Sequence, residues 1–424
     1  MPIFRRFRRP IIHMIRLRAL TSILLPGALA LAGCRDNGPD AGIVVVAGAP
    51  QSVLAGTVAP TPIQVLVRGP GGDPMPNEPV TFTVVSGGGA FTAGGATATA
   101  TTGSDGVATA PGWRMGKSDV PQVMRATAAG MTLEDITIQI QSDYEITIRF
   151  FGPPMSAAQQ ALFTNAAARI SGIITGDLTQ ADPRPLAIDP DTTDCQTTGQ
   201  PVLNEVIDDV LIYASIRDLD GPGNVLAQAG ACFVRPHPTQ TSPPHAAIGT
   251  MQFDAADIQA LSGSGSLQDV ITHEMLHVLG LGVLWGSPRN FLLNGQTGDP
   301  RYTGTQGLEG CRSIGGSIAC ATSLPVENTG GDGTQDSHWR ESTFNTELMT
   351  GFLDAGANPI SLMTVGALAD LGFVVNPAAA DEYSIFSNAF RSEAIGTAGP
   401  RPVWEVIIRP TGVIEGRTLR QLRP

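Results

Sequence analysis

The feature that most restricts the fold of this chain is a short pattern, His273-Glu274-Met275-Leu276-His277, set in Thr272 to Gly280. Histidines four residues apart share a face only when the backbone is helical. The segment is therefore expected to be a helix carrying both imidazoles on one side. Its surroundings agree. Ser266-Leu267-Gln268-Asp269 reads as a capping-box start, with Asp269 in the first turn, where the helix dipole favours an anion. Val270, Ile271, Met275, Leu276 and Leu279 supply an apolar side, and Gly280 is a ready C-terminal stop.

Two imidazoles on one helical face, with a carboxylate directly after the first, suit zinc chemistry. Zn²⁺ takes imidazole nitrogens and leaves a position open, and Glu274 stands where a general base would accept a proton. The expectation is one Zn²⁺ per chain held by His273 and His277, with Glu274 catalytic. The plainer alternative is an amphipathic core helix with incidental histidines. A third ligand is needed. In the metzincin pattern it follows the helix Gly by three residues, but Val283 stands there and cannot bind metal. Beyond the first 33 residues the other histidines are His237, His245 and His338; the first two lie among prolines and read as loop residues.

The N-terminus reads as an export signal. Six Arg precede the apolar run Ala19 to Leu31, and the small residues Ala32 and Gly33 follow it. Leu31-Ala32-Gly33-Cys34 resembles the bacterial lipobox, which implies lipidation of Cys34 and a membrane anchor, with an outer membrane or cell surface as destination. Removing residues 1–33 leaves 20 basic against 38 acidic residues, a net charge of −18, which argues against nucleic acid as a partner. The remaining cysteines, Cys195, Cys232, Cys311 and Cys320, are even in number, as suits an oxidising compartment. Three connectivities are open; loop closure favours Cys195 with Cys232 and Cys311 with Cys320. Free buried thiols are the alternative.

Fifty Gly and 33 Pro favour short strands and turns. From residue 42 to 141 strand patterns at Ile63–Val67, Val80–Val84, Ala96–Thr101 and Ile136–Ile140 alternate with Gly-rich turns, which indicates a β-sandwich. Gly72-Asp73-Pro74-Met75-Pro76-Asn77-Glu78-Pro79-Val80-Thr81-Phe82 with Thr102 to Ala108 resembles a bacterial Ig-like domain of the invasin-repeat kind. A strand over Tyr144–Phe150, a helix over Ser156–Thr175, and strands over Val206–Ile216 and Val225–Val234 then suggest a mixed α+β domain. The Asp-rich turn Asp218 to Asn224 offers oxygens to Ca²⁺ but lacks a full ligand loop. Val403–Ile408 and Gly412–Glu415 read as a final hairpin in a tail without an assigned role.

His338 lies in Ser337-His338-Trp339-Arg340-Glu341-Ser342, followed by Glu347-Leu348-Met349-Thr350 and by Ser361 to Phe373. Here the chain resembles the leishmanolysin-like metallopeptidases. That family places a long insertion between the helix Gly and the third His, then a Met eleven residues on. In this chain 57 residues separate Gly280 from His338, and Met349 lies eleven after it. The resemblance spans about Tyr144 to Asn376. It implies a zinc endopeptidase acting on protein or peptide substrates, with His338 as third ligand, Met349 in a supporting Met-turn and Val225–Gly230, after the Asp-rich turn, in the place of a cleft-edge strand. Eukaryotic members carry a latency propeptide; here a β-sandwich stands in that place, and no masking thiol is visible.

The expected fold class is therefore multidomain, an all-β Ig-like sandwich followed by an α+β metzincin-type zinc peptidase domain. Its parts are a signal peptide (1–33), a tether (34–41), the sandwich (42–141), the peptidase domain (142–376) and a C-terminal tail (377–424). A surface adhesin with a decayed zinc domain, and a zinc hydrolase of non-peptide substrates, are the competing readings.

Overall fold

The computed structural model of the protein describes residues 40–184, 195, 197–236, 243–261, 266–286, 289–296, 298–331, 333–354, 356–385, 401–402, 405–415 and 417–422. The expected export segment, Cys34 and His237 lie outside the described residues. Among the described residues no helix is long and apolar enough to cross a membrane.

Residues 42–140 build two larger sheets and a two-stranded one, Ala90–Phe91 with Trp113–Arg114, on a core of their own. A three-stranded sheet orders Gly42–Ala47, Gln64–Arg68 and Val107–Thr109. A five-stranded sheet orders Ser52–Val53, Met131–Ile140, Gln122–Ala128, Pro79–Ser86 and Thr97–Thr101. Gln122–Ala128 buries every second residue, the signature of a strand with one face on a core. Val65, Val67, Phe82, Trp113, Met124 and Ile138 fill that core.

The next sheet belongs to the zinc-motif region and is covered on both faces. Ile146–Phe150, Val210–Arg217 and His245–Asp254 run parallel, and Ala227–Arg235 lies antiparallel beside His245–Asp254. All of His245–Asp254 is buried, so it shows none of the alternation that marks a half-exposed strand. This corrects the reading of His245 as a loop residue. The prolines end at Pro244, and His245 opens a central strand with its ring 4.5 Å from that of Phe373.

Helix Ala157–Ser171 starts on a complete capping box, with the Ser156 hydroxyl accepting from Gln159 N–H and the Gln159 side chain accepting from Ser156 N–H. Its far end meets the N-terminal sheets. Arg169 and Lys117 both pair with Asp381, at 3.2 and 3.0 Å, and Asn376 donates to the Ala55 carbonyl at 2.7 Å.

The C-terminal strands depart from expectation. Glu405–Ile408 and Gly412–Glu415 do not pair with each other; both run parallel along Ala227–Arg235, and the hairpin is made by Gly412–Glu415 with Thr418–Gln421. The edge of the sheet is thereby extended by the last residues of the chain. In the Asp-rich turn, the Asp220 carboxylate accepts from Val225 N–H, while Asp254 accepts from the N–H groups of Leu219, Asp220 and Gly221. Backbone donors thus serve those carboxylates.

Cys195 is bonded to Cys232 with Cα atoms 4.9 Å apart, and Cys311 to Cys320 at 6.2 Å. The first bond spans 37 residues and reaches the edge strand; the second spans 9 and closes a loop after helix Thr305–Ser313. In the chain-entropy account the longer loop is worth about 4 kcal/mol and the shorter about 3 kcal/mol. A proteolytic digest kept unreduced should yield these two linked peptide pairs. In denaturant melts, Cys195→Ala/Cys232→Ala should cost more stability than Cys311→Ala/Cys320→Ala.

Candidate metal centre

Helix Leu267–Val278 packs against the edge and central strands and turns His273 and His277 into one buried space. Ser266 stands at its N-cap with helical dihedrals, without the side-chain cap bond that the sequence pattern suggested. After Val278 the chain turns sharply. Gly282 takes φ +72°, and a Cβ there would lie 2.2 Å from the Ser337 carbonyl oxygen. Only a glycine lets the loop carrying His338 come this close to the helix end.

The three imidazoles converge. Their Nε2 atoms are 3.0 Å apart in every pair, and His338 and His277 are wholly buried, with His273 nearly so. Each Nδ1 faces a backbone carbonyl: His273 that of Leu348 at 2.7 Å, His277 that of Leu281 at 2.8 Å, His338 that of Thr334 at 2.9 Å. A carbonyl only accepts, so each Nδ1 carries the proton and each Nε2 presents a lone pair. Three lone pairs facing one another cannot satisfy each other, and burial forbids water from doing so cheaply. A cation about 2.0–2.1 Å from each nitrogen resolves the conflict, and this donor set suits zinc.

Glu405 joins them. Its carboxylate lies 2.6 Å from His338 Nε2 and 3.5 Å from each of His273 and His277 Nε2, with the side chain fully buried. One ligand atom from each of the four residues lies within 4.8 Å of the others, so the group as a whole could hold a metal ion. Burial alone would raise the Glu405 carboxyl; the neighbouring His338 and His277 outweigh it and hold the group well below the usual range. His277 is pushed down to about 4, first by burial. Neither feature needs the other residue to be an accident, because both follow from acids and imidazoles sharing one dry space.

Glu274 is also fully buried, and no N–H or hydroxyl of the protein donates to either of its oxygens; its polar neighbour is the Glu405 carboxyl. Burial first, and the charge of Glu405 second, push its carboxyl well above the ordinary value. A carboxylate left without fixed donors beside a metal-binding cluster is free to take up and release a proton.

Around the cluster a set of buried polar contacts fixes the loop after His338. Met349 is buried, and its carbonyl accepts from Trp339 N–H at 2.9 Å, tying it to the residue after His338. The Glu347 carboxylate accepts from Met349 N–H at 2.7 Å, Ser361 N–H at 3.1 Å, the Ser361 hydroxyl at 2.7 Å and the Thr364 hydroxyl. It thereby sets the position of Leu348, whose carbonyl orients His273. The indole of Trp339 donates to Thr364 and stacks on Trp285 at 5.0 Å.

His245 is not part of the cluster, and the second acidic group among the described residues, Asp177, Asp208 and Asp209, is mostly exposed. Sequence reasoning missed Glu405 and gave Glu347 no role. The only signal at Glu405 is an acid opening the apolar run Val406-Ile407-Ile408; at Glu347, an acid directly before Leu348-Met349. Both are single residues without a diagnostic spacing. Removing the Glu347 carboxylate strands buried donors, each worth about 1–3 kcal/mol. Glu347→Ala should therefore lower unfolding stability by at least about 2 kcal/mol. It should also weaken metal retention roughly 10–100-fold, read by chelator competition, as loss of a supporting partner does.

Comparison with known proteins places this site in context. Residues 200–390 match the peptidase family M8, described as leishmanolysin. No curated protein matches the chain. One solved structure, a carbohydrate acetylesterase from Xanthomonas citri, is similar at 12% identity over 29% of this chain and 25% of that one, with a TM-score of 0.17, and at that score it carries no argument. The matched residues contain His273, Glu274, His277, His338 and Met349. Over that stretch the chain is similar to the leishmanolysin peptidases.

Proposed function

We propose that the protein is an exported zinc endopeptidase in which His273, His277 and His338 hold the metal and Glu274 is the general base. The observation that carries this reading is the convergence of three Nε2 lone pairs beside a buried carboxylate that no protein donor engages. Zinc, when bound, supplies Lewis-acid chemistry, polarising a carbonyl and acidifying water. The rest falls to the chain. The three Nδ1–H···O=C bonds fix the tautomer and aim of each imidazole. Glu274 takes a proton from the attacking water at its carboxylate and delivers it to the leaving amide nitrogen. Ala227–Arg235, the strand that the C-terminal strands cover, is the one with which an extended peptide would pair. Met349 serves as a packed floor, held by its bonds to Trp339 and Glu347. Residues 42–141 are read as an Ig-like spacer and Cys34 as the lipidated anchor that keeps the peptidase at a membrane surface.

Metal analysis should find about one zinc per chain, the number of three-imidazole sites that this donor set can form. His338→Ala and His277→Ala should both lose it, and His245→Ala should keep it. Retention of full zinc by His338→Ala would remove the proposed ligand set.

Glu274→Gln preserves shape but cannot accept a proton. At equal zinc content it should lose at least about a hundredfold in the cleavage of denatured casein, the lower end of general acid–base contributions. An undiminished rate would sink the mechanism. Mass spectrometry of the native N-terminal peptide should find lipidated Cys34, and an unmodified terminus would rule out the anchor.

A further inference from the structure

An open edge strand and an open metal position are what a peptidase of this kind needs, and the chain's own C-terminal segment stands in both. Glu405–Ile408 pairs in parallel with Ala227–Gly230, residue for residue, on the side of the edge strand away from His245–Asp254. That is the only side on which an incoming peptide could pair. The fit is close. Gly230 takes φ +154°, and a Cβ there would meet the Ile408 carbonyl oxygen at 2.0 Å. A Cβ on Gly333, in the loop that leads to His338, would meet the Glu405 carbonyl oxygen at 2.2 Å. Both walls of the groove have thus shed side chains where this strand passes.

The segment is held on either side. Arg401–Pro402 pairs with Phe352–Leu353, just beyond Met349, and Gly412–Val413 pairs with Phe233–Val234. Between these anchors the strand presents a side-chain carboxylate to the histidines rather than a peptide bond, with the Glu405 oxygens 2.6 and 3.5 Å from His338 and His277 Nε2. Three imidazoles and one carboxylate make a closed four-ligand set, the pattern of a resting site and not of one with a position free for water.

We propose that the C-terminal segment is a built-in inhibitor, with Glu405 as the fourth metal ligand and Glu405–Ile408 filling the substrate groove, so that activity requires its displacement. This rests on the zinc peptidase reading. No bond is made or broken in the switch; a carboxylate leaves the metal and a strand leaves an edge. The inhibitor differs from a masking thiol in lying after the catalytic residues, where a release of the chain's end would open the site without freeing its beginning.

The test uses the full chain loaded with Co²⁺, whose visible spectrum reports its ligands, and with Zn²⁺ for kinetics on an unstructured quenched-fluorescent peptide. Glu405→Ala and the isosteric Glu405→Gln should alter the cobalt spectrum, release zinc to a chelator faster, and cleave the peptide at least tenfold faster than the unaltered chain. Ile408→Asp leaves Glu405 in sequence but places a charge at a fully buried position of the strand, and it should raise the rate as well. An unchanged spectrum and unchanged zinc release in both Glu405 variants would overturn the ligand assignment. A changed spectrum with no gain in rate, in a chain that does cleave the peptide, would overturn the inhibition. If every zinc-loaded form leaves all peptides intact, the peptidase reading fails instead, and the cobalt spectrum still decides whether Glu405 is a ligand.

Discussion

Three imidazole lone pairs aimed at one another inside a dry protein set the terms for everything around them. Left alone they repel, and the cost of burying them unpaired is several kcal/mol. The chain commits to that arrangement by fixing each ring from behind with a carbonyl. Those carbonyls come from Leu281, Thr334 and Leu348, on three different loops. Each loop must therefore be rigid, and each is made so differently. The turn at Leu281 depends on Gly282, whose missing Cβ admits Ser337. The Leu348 turn hangs on Glu347 and its four donors. The segment around Thr334 is closed by the Ser337 hydroxyl, which donates to the Gly333 carbonyl at 2.6 Å.

Buried acids show the same logic of compensation in three forms. Glu347 is held by four hydrogen-bond donors, which offset part of the rise that burial imposes on its carboxyl, and it behaves as structure. Glu405 is stabilised by the imidazoles, and its charge suits a site designed for a cation. Glu274 has neither kind of partner among protein donors, which is why its carboxyl is driven up. A carboxylate is costly to bury without partners, and such a group persists where its proton affinity is itself useful. The same residue type thus supports a loop, faces the imidazoles or, in the proposed mechanism, moves a proton according to what surrounds it.

Legibility in the sequence followed the range of the interaction. The helix at Leu267–Val278 could be read because its period, apolar side and stop are all local, and its end fell at Gly280. Four of the strands over 42–140 could be read from alternation and turn glycines, and Gly42–Ala47 and Gln122–Ala128 were not among them. His338, 61 residues from His277, has no local mark; it came from resemblance to a family with a variable insertion. His245 was misread because prolines before it are a loop signal, while a central strand covered on both faces carries no period to oppose them. The hairpin at the C-terminus was displaced by one strand for a related reason. Short β-branched runs announce strands, but their partner is chosen by an edge more than 170 residues away, at Phe233 and Val234. Glu405 was invisible because its meaning depends entirely on that choice.

The edge strand Ala227–Arg235 is where stability and function pull against each other. A free edge is a liability, offering unpaired N–H and C=O groups to any extended chain, and proteins cover such edges. A peptidase that grips extended substrates has to keep one uncovered. This chain meets the first demand with its own last strands, at the expense of the second, and it does so in the register that puts an acid on the histidines. The coincidence is not forced by packing. Pairing Glu405–Ile408 one residue out of register would turn Glu405 to the other face of the sheet, since side chains alternate along a strand. An edge cover chosen only to bury backbone would place an apolar residue there. That an acid occupies the position facing three imidazoles ties the covering of the edge to the histidine cluster, and on the proposed reading makes the groove and the fourth ligand position a single structural unit.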